Sequence, residues 1–466
     1  MSFTGDTKSD PALLPQTPPK LPQYHETQLY ADVEGHPQGV LAAPARQPRS
    51  LARRVLRGVL FIFVTLWIVS GIHRVFLGRP WFSRHKEFDM GDHDYYYDIP
   101  SDLILENCVE GDGWSVGEDD GPFSSASATF DVDLTVDNIY LLSRGRFSGG
   151  IVNVITSSEQ PKEFVTIDVV VKYRRHDMLD WAKACFTSRP QNQKGVGIFT
   201  PIWRRSPRHG HDQNILHFET TITLPEDVSI TSFETDVPNT VQIIRDLGSK
   251  VDFKSVALMG SNMPIHVESL SAVKGLVHSS NAGIRGTFNT TSSLILETSN
   301  APIAVAVGLN DDGKHPSLAA HTTNAHFDAR LSLTTPSGEL GNFTVDTTTT
   351  NSPLRVVFVD APLDSGLEYS GRSANGKVDV TLHPTYEGNF DMSTSRYFRA
   401  DLKFLPAPDP SGQGRKRASF YQGDRHRNFG NTKWLENENP VYGPKDNGNV
   451  VISTSNSPIV LNILGI

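Results

Sequence analysis

The stretch that decides the fold is TSNAPIAV, residues 298–305, because two close copies of it occur elsewhere in the chain. TTNSPLRV spans residues 349–356, and TSNSPIVL spans residues 454–461. Each copy places a hydroxyl residue and an asparagine before a short run that begins with an apolar residue. A phrase that recurs along one chain indicates a repeated structural unit rather than a single reactive site.

Looser copies of the phrase extend the pattern from residue 255 onward. Its asparagines are Asn262, Asn281, Asn300, Asn324, Asn351, Asn375 and Asn456. The steps between the first six are 19, 19, 24, 27 and 24 residues. A step that varies so little is typical of a solenoid, in which like coils of the chain stack on one another.

The residue types in the phrase suit a sharp corner that leads into a strand. Asparagine tolerates left-handed backbone geometry and can bond its own chain two residues on. Proline follows two positions later at Pro264, Pro302, Pro353 and Pro458. It fixes one dihedral angle and removes a donor where a strand is only beginning. We therefore predict that residues 251–404 form a β-solenoid-like stack whose asparagine amides can pair into a ladder; serial hairpins that do not stack are the alternative.

The last repeat is interrupted by a long polar segment. Residues 405–449 are predicted to form an insertion loop, and residues 450–466 are predicted to supply the closing strand of the stack. The insertion contains the dibasic pair Lys416-Arg417. In an exposed loop this pair is either a cleavage site for a processing protease or merely a solvated basic stretch.

Residues 101–250 show a different alternation. Phe130, Val132 and Leu134 alternate with polar residues, and the segments around Ile167 and Leu216 do the same. Period two with one apolar face predicts half-buried strands. Turn residues lie between these segments, so we predict an antiparallel β-sandwich-like domain before the repeats.

The N-terminal part has two zones of unlike composition. Residues 1–50 contain eight prolines and no apolar periodicity, which predicts a disordered tail. Residues 15–20, PQTPPK, have the spacing of a ligand for a polyproline-binding domain, although a proline-rich tail that binds nothing also fits. Residues 55–77 contain an uncharged run, Gly58 to Ile72, and predict one transmembrane helix if the flanking arginines reach the interfaces.

The orientation of this helix follows from what comes after it. Both glycosylation sequons, at Asn289 and Asn342, and both cysteines, Cys108 and Cys185, follow residues 55–77. We therefore predict a cytoplasmic N-terminus, a stem at 78–100 and a luminal or extracellular bulk. The cysteines can form a disulfide in an oxidising compartment, and the sequence leaves open whether they do.

Charge and motifs argue against several classes of function. The net charge of −9 argues against a nucleic-acid partner, because such partners require a basic face. Gly113 to Gly117, GWSVG, matches the hydrolase elbow G-x-S-x-G, but the expected strand and helix do not flank it. The motif His209-Gly210-His211-Asp212 lies in a basic loop-like stretch with His217 nearby, so it predicts a solvated loop rather than a metal site.

Four further carboxylates lie in predicted turns between coils, at Asp311, Asp312, Asp360 and Asp364. Their spacing follows no calcium-loop pattern, which favours ordinary turn chemistry. We therefore predict no catalytic residue, no metal ligand and no cofactor.

The repeated TSNxPI phrase, joined to a single apolar segment, resembles an uncharacterised family of fungal single-pass membrane proteins, chiefly of mushroom-type fungi. Their outer half is similar to bacterial adhesin-type β-solenoid domains. LLSRGRFSGG (141–150) and GVGIFTP (195–201) also look like phrases of that family. The resemblance covers roughly residues 105–466 and lends no catalytic residue. It implies a β-solenoid outer domain that is held at a membrane.

The function predicted from these features is non-catalytic display of a rigid β stack, for adhesion or for contact with a wall glycan or a surface protein. The lipid bilayer is the expected partner of residues 55–77. Two alternatives stay open at this stage. One is a polysaccharide-acting enzyme on a β-helix scaffold, and the other is an organising protein that acts through its proline-rich tail.

Overall fold

Strands whose side chains alternate between the core and the solvent make up most of this computed structural model. It describes residues 95–117, 122–203, 216–338, 340–435 and 447–465. Ile303–Asn310 is typical, because its side chains alternate without exception between buried and half-buried positions. The described part of the chain is mainly β, as the sequence predicts.

Eleven strands lie in residues 95–225. They are β1 (Tyr95–Tyr97), β2 (Ile104–Val109), β3 (Ser115–Val116), β4 (Ser124–Asp133), β5 (Asn138–Arg144), β6 (Gly150–Ser157), β7 (Phe164–Tyr173), β8 (Lys183–Arg189), β9 (Gln193–Phe199), β10 (Pro201–Trp203) and β11 (Leu216–Pro225). Two short 3-10 helices, Gly111–Gly113 and His176–Trp181, lie between them.

Eighteen strands follow. They are β12 (Val228–Asp236), β13 (Thr240–Asp246), β14 (Val251–Met259), β15 (Ile265–Ser279), β16 (Ile284–Thr298), β17 (Ile303–Asn310), β18 (Ser317–Thr322), β19 (Phe327–Thr334), β20 (Asn342–Thr349), β21 (Leu354–Asp360), β22 (Gly366–Ser373), β23 (Val378–Leu382), β24 (Gly388–Ser393), β25 (Ala400–Leu405), β26 (Lys416–Gly423), β27 (Arg427–Leu435), β28 (Gly448–Thr454) and β29 (Ile459–Leu464).

Most of these strands form a two-layered parallel solenoid. In spatial order, layer A consists of β5, β12, β14, the second halves of β15 and β16, β18, β20, β22, β28 and β24. Layer B consists of β6, β13, the first halves of β15 and β16, β17, β19, β21, β23, β29 and β25. One strand of layer A, a corner, and the next strand of layer B make one rung, and there are ten rungs. Like coils therefore do stack, and the alternative of unstacked serial hairpins is wrong.

The core lies between the two layers and runs through all the rungs. In seven neighbouring strands of layer B, from β15 to β29 in spatial order, the residue that begins the strand stands in register with its neighbours and is buried. This row contains Ile265, Ile284, Ile303, Phe327, Leu354, Val378 and Ile459. These are the apolar residues that follow the asparagine phrase. Burying one such side chain stabilises the fold by about 1.5–3 kcal/mol, so the row holds consecutive rungs in register.

The stack begins earlier than predicted, and the expected domain boundary near residue 250 is not there. β5 and β6 pair in parallel with β12 and β13, which in turn pair with β14 and β15. One hydrophobic core spans both regions, and the described residues belong to one compact unit. A separate antiparallel sandwich over 101–250 is therefore wrong. Period-two alternation reports a buried face, but it does not say whether the neighbouring strand is parallel.

Antiparallel strands do occur within residues 101–250, but they lie beside the first rung. In layer A, β9 pairs with β5, and β8 and β2 continue the sheet in antiparallel orientation. In layer B, β11 pairs with β6, and β7, β4 and β3 continue it in the same way. These strands cover the first end of the stack.

The C-terminal region corrects two predictions. Part of the insertion expected as a polar loop is a hairpin of β26 and β27, which pairs antiparallel with β24. Strands β28 and β29 do not close the stack, because they lie between the β22–β23 rung and the β24–β25 rung. A later segment can enter between two earlier ones, since parallel pairing sets no sequence order on the rungs. We call β24 to β27, residues 388–435, the hairpin cap.

The tail at 1–50, the helix at 55–77 and most of the stem lie outside the described residues. The end of the stem is described, and its strand β1 pairs with β10. In the described part of the chain, no helix has the length and apolar character needed to cross a bilayer.

Candidate functional site

The seven asparagines named by the repeat lie on one edge of the stack, at the corners that lead from layer A to layer B. Each side-chain Nδ2 donates to the Oδ1 of the asparagine one rung earlier, at distances of 2.7 to 2.9 Å. Asn239 accepts the first of these bonds, from Asn262. The ladder therefore has eight members, one in each rung except the first and the last.

Backbone bonds accompany the amide ladder. The N–H of Asn281 donates to the carbonyl of Ser261 on the preceding corner, and that of Asn351 donates in the same way to Thr323. The threonine two residues before the asparagine points inward, where the Thr322 hydroxyl donates to the Ala301 carbonyl. These bonds satisfy polar groups that would otherwise be buried without partners. The hydroxyl of Thr298, at the equivalent position of the Asn300 corner, is buried and has no partner among the described residues. The side-chain amides hydrogen-bond to one another along the ladder, so the role of this edge is structural.

Corners that depart from the phrase still belong to the ladder. Asn324 and Asn375 lack the proline, yet both donate to the preceding asparagine. Gly376 has no room for a side chain, because a Cβ there would lie 1.8 Å from the carbonyl oxygen of Ser352. Sequence reasoning missed Asn239, since valine and proline precede it instead of serine or threonine. Its 23-residue distance from Asn262 was the available signal.

The two predicted sequons lie on opposite outer faces of the stack. Asn289 is exposed on layer B, in β16, and Asn342 is exposed at the start of β20 in layer A. Both side chains are open to solvent, which an attached glycan requires. Glycosylation itself stays a prediction.

Cys108 and Cys185 are joined by a disulfide between neighbouring strands β2 and β8. The bond holds the segment 97–105 against the outer face of layer A. There Tyr97, Ile99, Leu103 and Leu105 cover a small second core formed by Tyr140, Leu142, Cys185 and Phe199. The sequence leaves this pairing open, and the structure forms it.

The GWSVG and His-Gly-His-Asp motifs show no reactive arrangement in the part of the chain that the structure describes. Ser115 belongs to the short edge strand β3. His209, His211 and Asp212 lie outside the described residues, and His217 is part of β11. Within the described ranges, no three His, Cys, Asp or Glu side chains form a group that could hold a metal ion.

Of the four turn carboxylates, Asp311 is buried. Burial by itself raises the pKa of Asp311, but backbone N–H groups of Asn342, His315 and Gly313 donate to the carboxylate and hold the pKa below its usual value. Asp311 therefore organises its own turn, as turn chemistry predicts.

The hairpin cap is fixed by a buried polar cluster that the sequence did not predict. Arg415 forms an ion pair with Asp409 at 3.0 Å and lies 3.9 Å from Glu387. Burial raises the pKa of the Asp409 carboxyl, yet hydrogen bonds from Arg415 and Ser411 outweigh burial and hold that pKa well below its ordinary value. Glu387 accepts a bond from the backbone N–H of Trp434 at 3.0 Å. These contacts connect the hairpin to the corner at residues 383–387.

The dibasic pair lies within strand β26 of this hairpin, not in an exposed loop. The Arg417 guanidinium donates to the carbonyls of Pro384 and Tyr386 and to the hydroxyl of Thr432, beneath the ring of Trp434. Burial lowers the pKa of Arg417 to about 10, so it stays charged at neutral pH. Lys416, its neighbour, is exposed. A processing protease needs an extended and accessible pair, which the folded hairpin does not offer.

Exposed aromatic side chains gather on the cap. Tyr397, in the corner of the last rung, is 70% exposed, and Phe420, Tyr421 and Phe429 of the hairpin are 53%, 57% and 41% exposed. Phe420 and Phe429 lie on the same face of the hairpin, on neighbouring strands. Tyr421 lies on the other face, with its ring centroid 5.7 Å from that of Phe404.

Cations interleave with these rings. Six of them are exposed. Arg427 is paired with Asp391, and the other five are Arg396, Arg399, Lys403, Lys416 and Arg425. Arg396 and Tyr397 occupy the corner where the ladder would place its next asparagine. We call the four aromatic residues and these five cations the cap surface, and it is the candidate functional site. The departure of Ser395-Arg396 from the asparagine phrase was the sequence signal for it.

An interior asparagine should matter more than an outlying one. We expect Asn324→Ala to lower the free energy of unfolding by about 1–2 kcal/mol, because two amide bonds are lost. Asn456→Ala should cost about half as much, since it loses one described bond. Asn310→Ala, on the outer face of β17, is the control. Urea denaturation measures all three, and an Asn324→Ala cost no larger than that of Asn310→Ala would contradict the ladder's role.

The two residues of the dibasic pair should respond very differently to the same change. Arg417→Met removes three hydrogen bonds from a buried site, so we expect the free energy of unfolding to fall by at least about 2 kcal/mol. Lys416→Met removes only an exposed charge and should leave the denaturation midpoint unchanged. Equal midpoints for the two variants would show that the cluster does not fix the hairpin.

Comparison with known proteins adds little to this geometry. No protein-family model and no curated protein matches the sequence. Among solved structures, one described as a putative cell adhesion protein, from Clostridium sporogenes, aligns over 73% of this chain and 99% of its own. The identity is 8% and the TM-score is 0.20, which is too low to establish a shared fold. The resemblance to fungal membrane proteins stays a prediction, and the functional reading rests on the cap surface.

Proposed function

We propose that this protein is a non-catalytic contact module, which presents the cap surface to a cell-wall glycan or to another surface molecule for adhesion. Four of the five exposed aromatic side chains in the described residues lie on the cap, and this concentration carries the proposal. Exposed aromatic rings lose hydration at little entropic cost when they meet a ligand, so they mark contact sites.

The scaffold suits a surface that must keep its shape. The ten rungs, at about 4.8 Å each, make a stack on the order of 45 Å long. Core rows and the asparagine ladder fix neighbouring rungs to one another, and the buried cluster around Arg415 fixes the hairpin to the segment 383–387. A surface that is ordered before binding loses less conformational entropy when the ligand arrives.

The aromatic residues provide a test with a matched control. We expect the double variant Phe420→Ser, Phe429→Ser to bind isolated cell-wall material about tenfold more weakly than the unaltered full-length protein, which corresponds to about 1.4 kcal/mol of lost contact. Val359→Ser, an exposed apolar position on β21, should bind normally. Co-sedimentation across protein concentrations gives the affinity.

Circular dichroism should show the same strand content in all variants, since the changed side chains are exposed. Equal binding by the double variant and the unaltered protein would remove the cap surface as the contact site. Loss of binding by Val359→Ser to the same degree would point to a general surface effect instead.

The proposal includes a tether, in which residues 55–77 span a membrane with the N-terminus in the cytoplasm. The disulfide between Cys108 and Cys185 supports this orientation, because such bonds persist in oxidising compartments. The exposed sequon asparagines are compatible with it as well.

The orientation has a direct test. When the full chain is expressed in a eukaryotic host, we expect a loss of mass on endoglycosidase treatment, reduced stepwise in Asn289→Gln and in Asn342→Gln and abolished in the double variant. An unmodified chain in the membrane fraction, insensitive to the enzyme, would place the stack on the cytoplasmic side.

A further inference from the structure

The cap differs sharply in charge from the remainder of the chain. The hairpin cap, residues 388–435, contains nine Lys or Arg and four Asp or Glu, a net charge of +5, whereas the whole chain has −9, so the remainder has −14. Charge asymmetry of this size raises the local concentration of anions at one end of a molecule.

Only part of this charge is neutralised within the cap. Arg415 pairs with Asp409 and lies near Glu387, and Arg427 pairs with Asp391 at 2.7 Å. The five cations of the cap surface have no carboxylate within 4 Å among the described residues. The acidic neighbour Asp424 is already engaged, because it accepts bonds from the backbone N–H groups of His426 and Arg427.

Three of the free cations are held together by backbone contacts. The N–H of Ala400 donates to the carbonyl of Arg425 at 2.9 Å, and the N–H of Thr394 donates to that of His426 at 2.8 Å. These bonds join the hairpin turn to the corner that carries Arg396 and Arg399. The guanidinium groups therefore project from one ordered region rather than from separate loops.

Rings lie among these cations. The Arg396 guanidinium carbon lies 4.8 Å from the centroid of the Tyr397 ring, and its Nη2 donates to the Tyr397 hydroxyl at 2.6 Å. Arginine forks pair with carboxylate or sulfate groups, while the apolar C–H face of a sugar packs on an aromatic ring. The same surface can thus contact both parts of an acidic sugar.

The extent of the surface indicates a polymer. Lys416 and Gly423 are the two ends of β26, and Arg425 lies beyond its tip. At about 3.3 Å per residue, Lys416 and Arg425 are separated by roughly 25 Å, which is longer than a single sugar.

We propose that the ligand of the cap surface is an acidic polysaccharide. This inference rests on the proposed function and names its ligand class. A polysaccharide is favoured over a nucleic acid because the disulfide indicates an oxidising compartment.

The test compares two polymers that differ only in charge. Full-length protein is titrated with polygalacturonate and with its fully methyl-esterified form, at 0.05 M and 0.5 M NaCl. We expect binding to the charged polymer that weakens at least tenfold at the higher salt, where screening is stronger, and at least tenfold weaker binding to the ester. The triple variant Arg396→Gln, Arg399→Gln, Arg425→Gln should lose at least tenfold in affinity for the charged polymer.

The matched control changes three exposed arginines on layer B, in the triple variant Arg285→Gln, Arg330→Gln, Arg355→Gln, which should bind as the unaltered protein does. Equal affinity for the two polymers, salt-independent binding, an equal loss in the control, or tighter binding to single-stranded DNA or to phosphatidylserine vesicles would each overturn the acidic polysaccharide.

The proposed function and the proposed ligand class can be overturned separately. Wall binding that depends on Phe420 and Phe429 but not on the three cap arginines would keep the proposed function and overturn the ligand class. No binding by the unaltered protein to either polymer or to wall material would overturn both.

Discussion

The structure depends on how its corners satisfy their polar groups. A chain that turns between two layers once per rung must turn sharply beside a dry core, where an unpaired backbone group costs about 1–3 kcal/mol. Corners such as the one at Asn351 solve this with three bonds, from the asparagine amide, from its N–H and from the inward hydroxyl of Thr349. Each bond reaches the preceding rung or the same corner, so the corners hold the stack along its axis. The asparagine phrase recurs in the sequence because it supplies these bonds.

A stack of parallel rungs also has two open ends, and the two are treated differently. Antiparallel strands and a disulfide cover the first end, where the added surface is largely apolar and buried. The other end is covered by a hairpin that a charged cluster fixes to the corner at 383–387, and its outer side chains are aromatic and cationic. The same few residues therefore both end the repeat and form the proposed contact surface.

The repeat edge could be predicted from the sequence, and the candidate site largely could not. Asn300 and Ile303 belong to a local pattern, and local patterns report corners and buried faces directly. The sequence did not predict the place of β28 and β29, because register between distant segments depends on which edges are free when they meet. Nor did it predict the burial of Arg417 beside the exposure of Lys416, since alternation within β26 becomes interpretable only once its pairing with β27 is known. Only the loss of asparagine at Arg396 marked the site in advance.

The position of β28 and β29 has a consequence for biogenesis. Residues 388–435 leave the ribosome before residues 448–464, yet they occupy the rung beyond them. Until the later segment arrives, β24 and β25 have no parallel neighbours, and β22 and β23 present bare edges to solvent. The cap therefore cannot reach its final position on a nascent chain that lacks β28 and β29. Insertion of that segment completes the rung on which the cap lies. The cap can therefore assemble fully only after residue 464 has been synthesised.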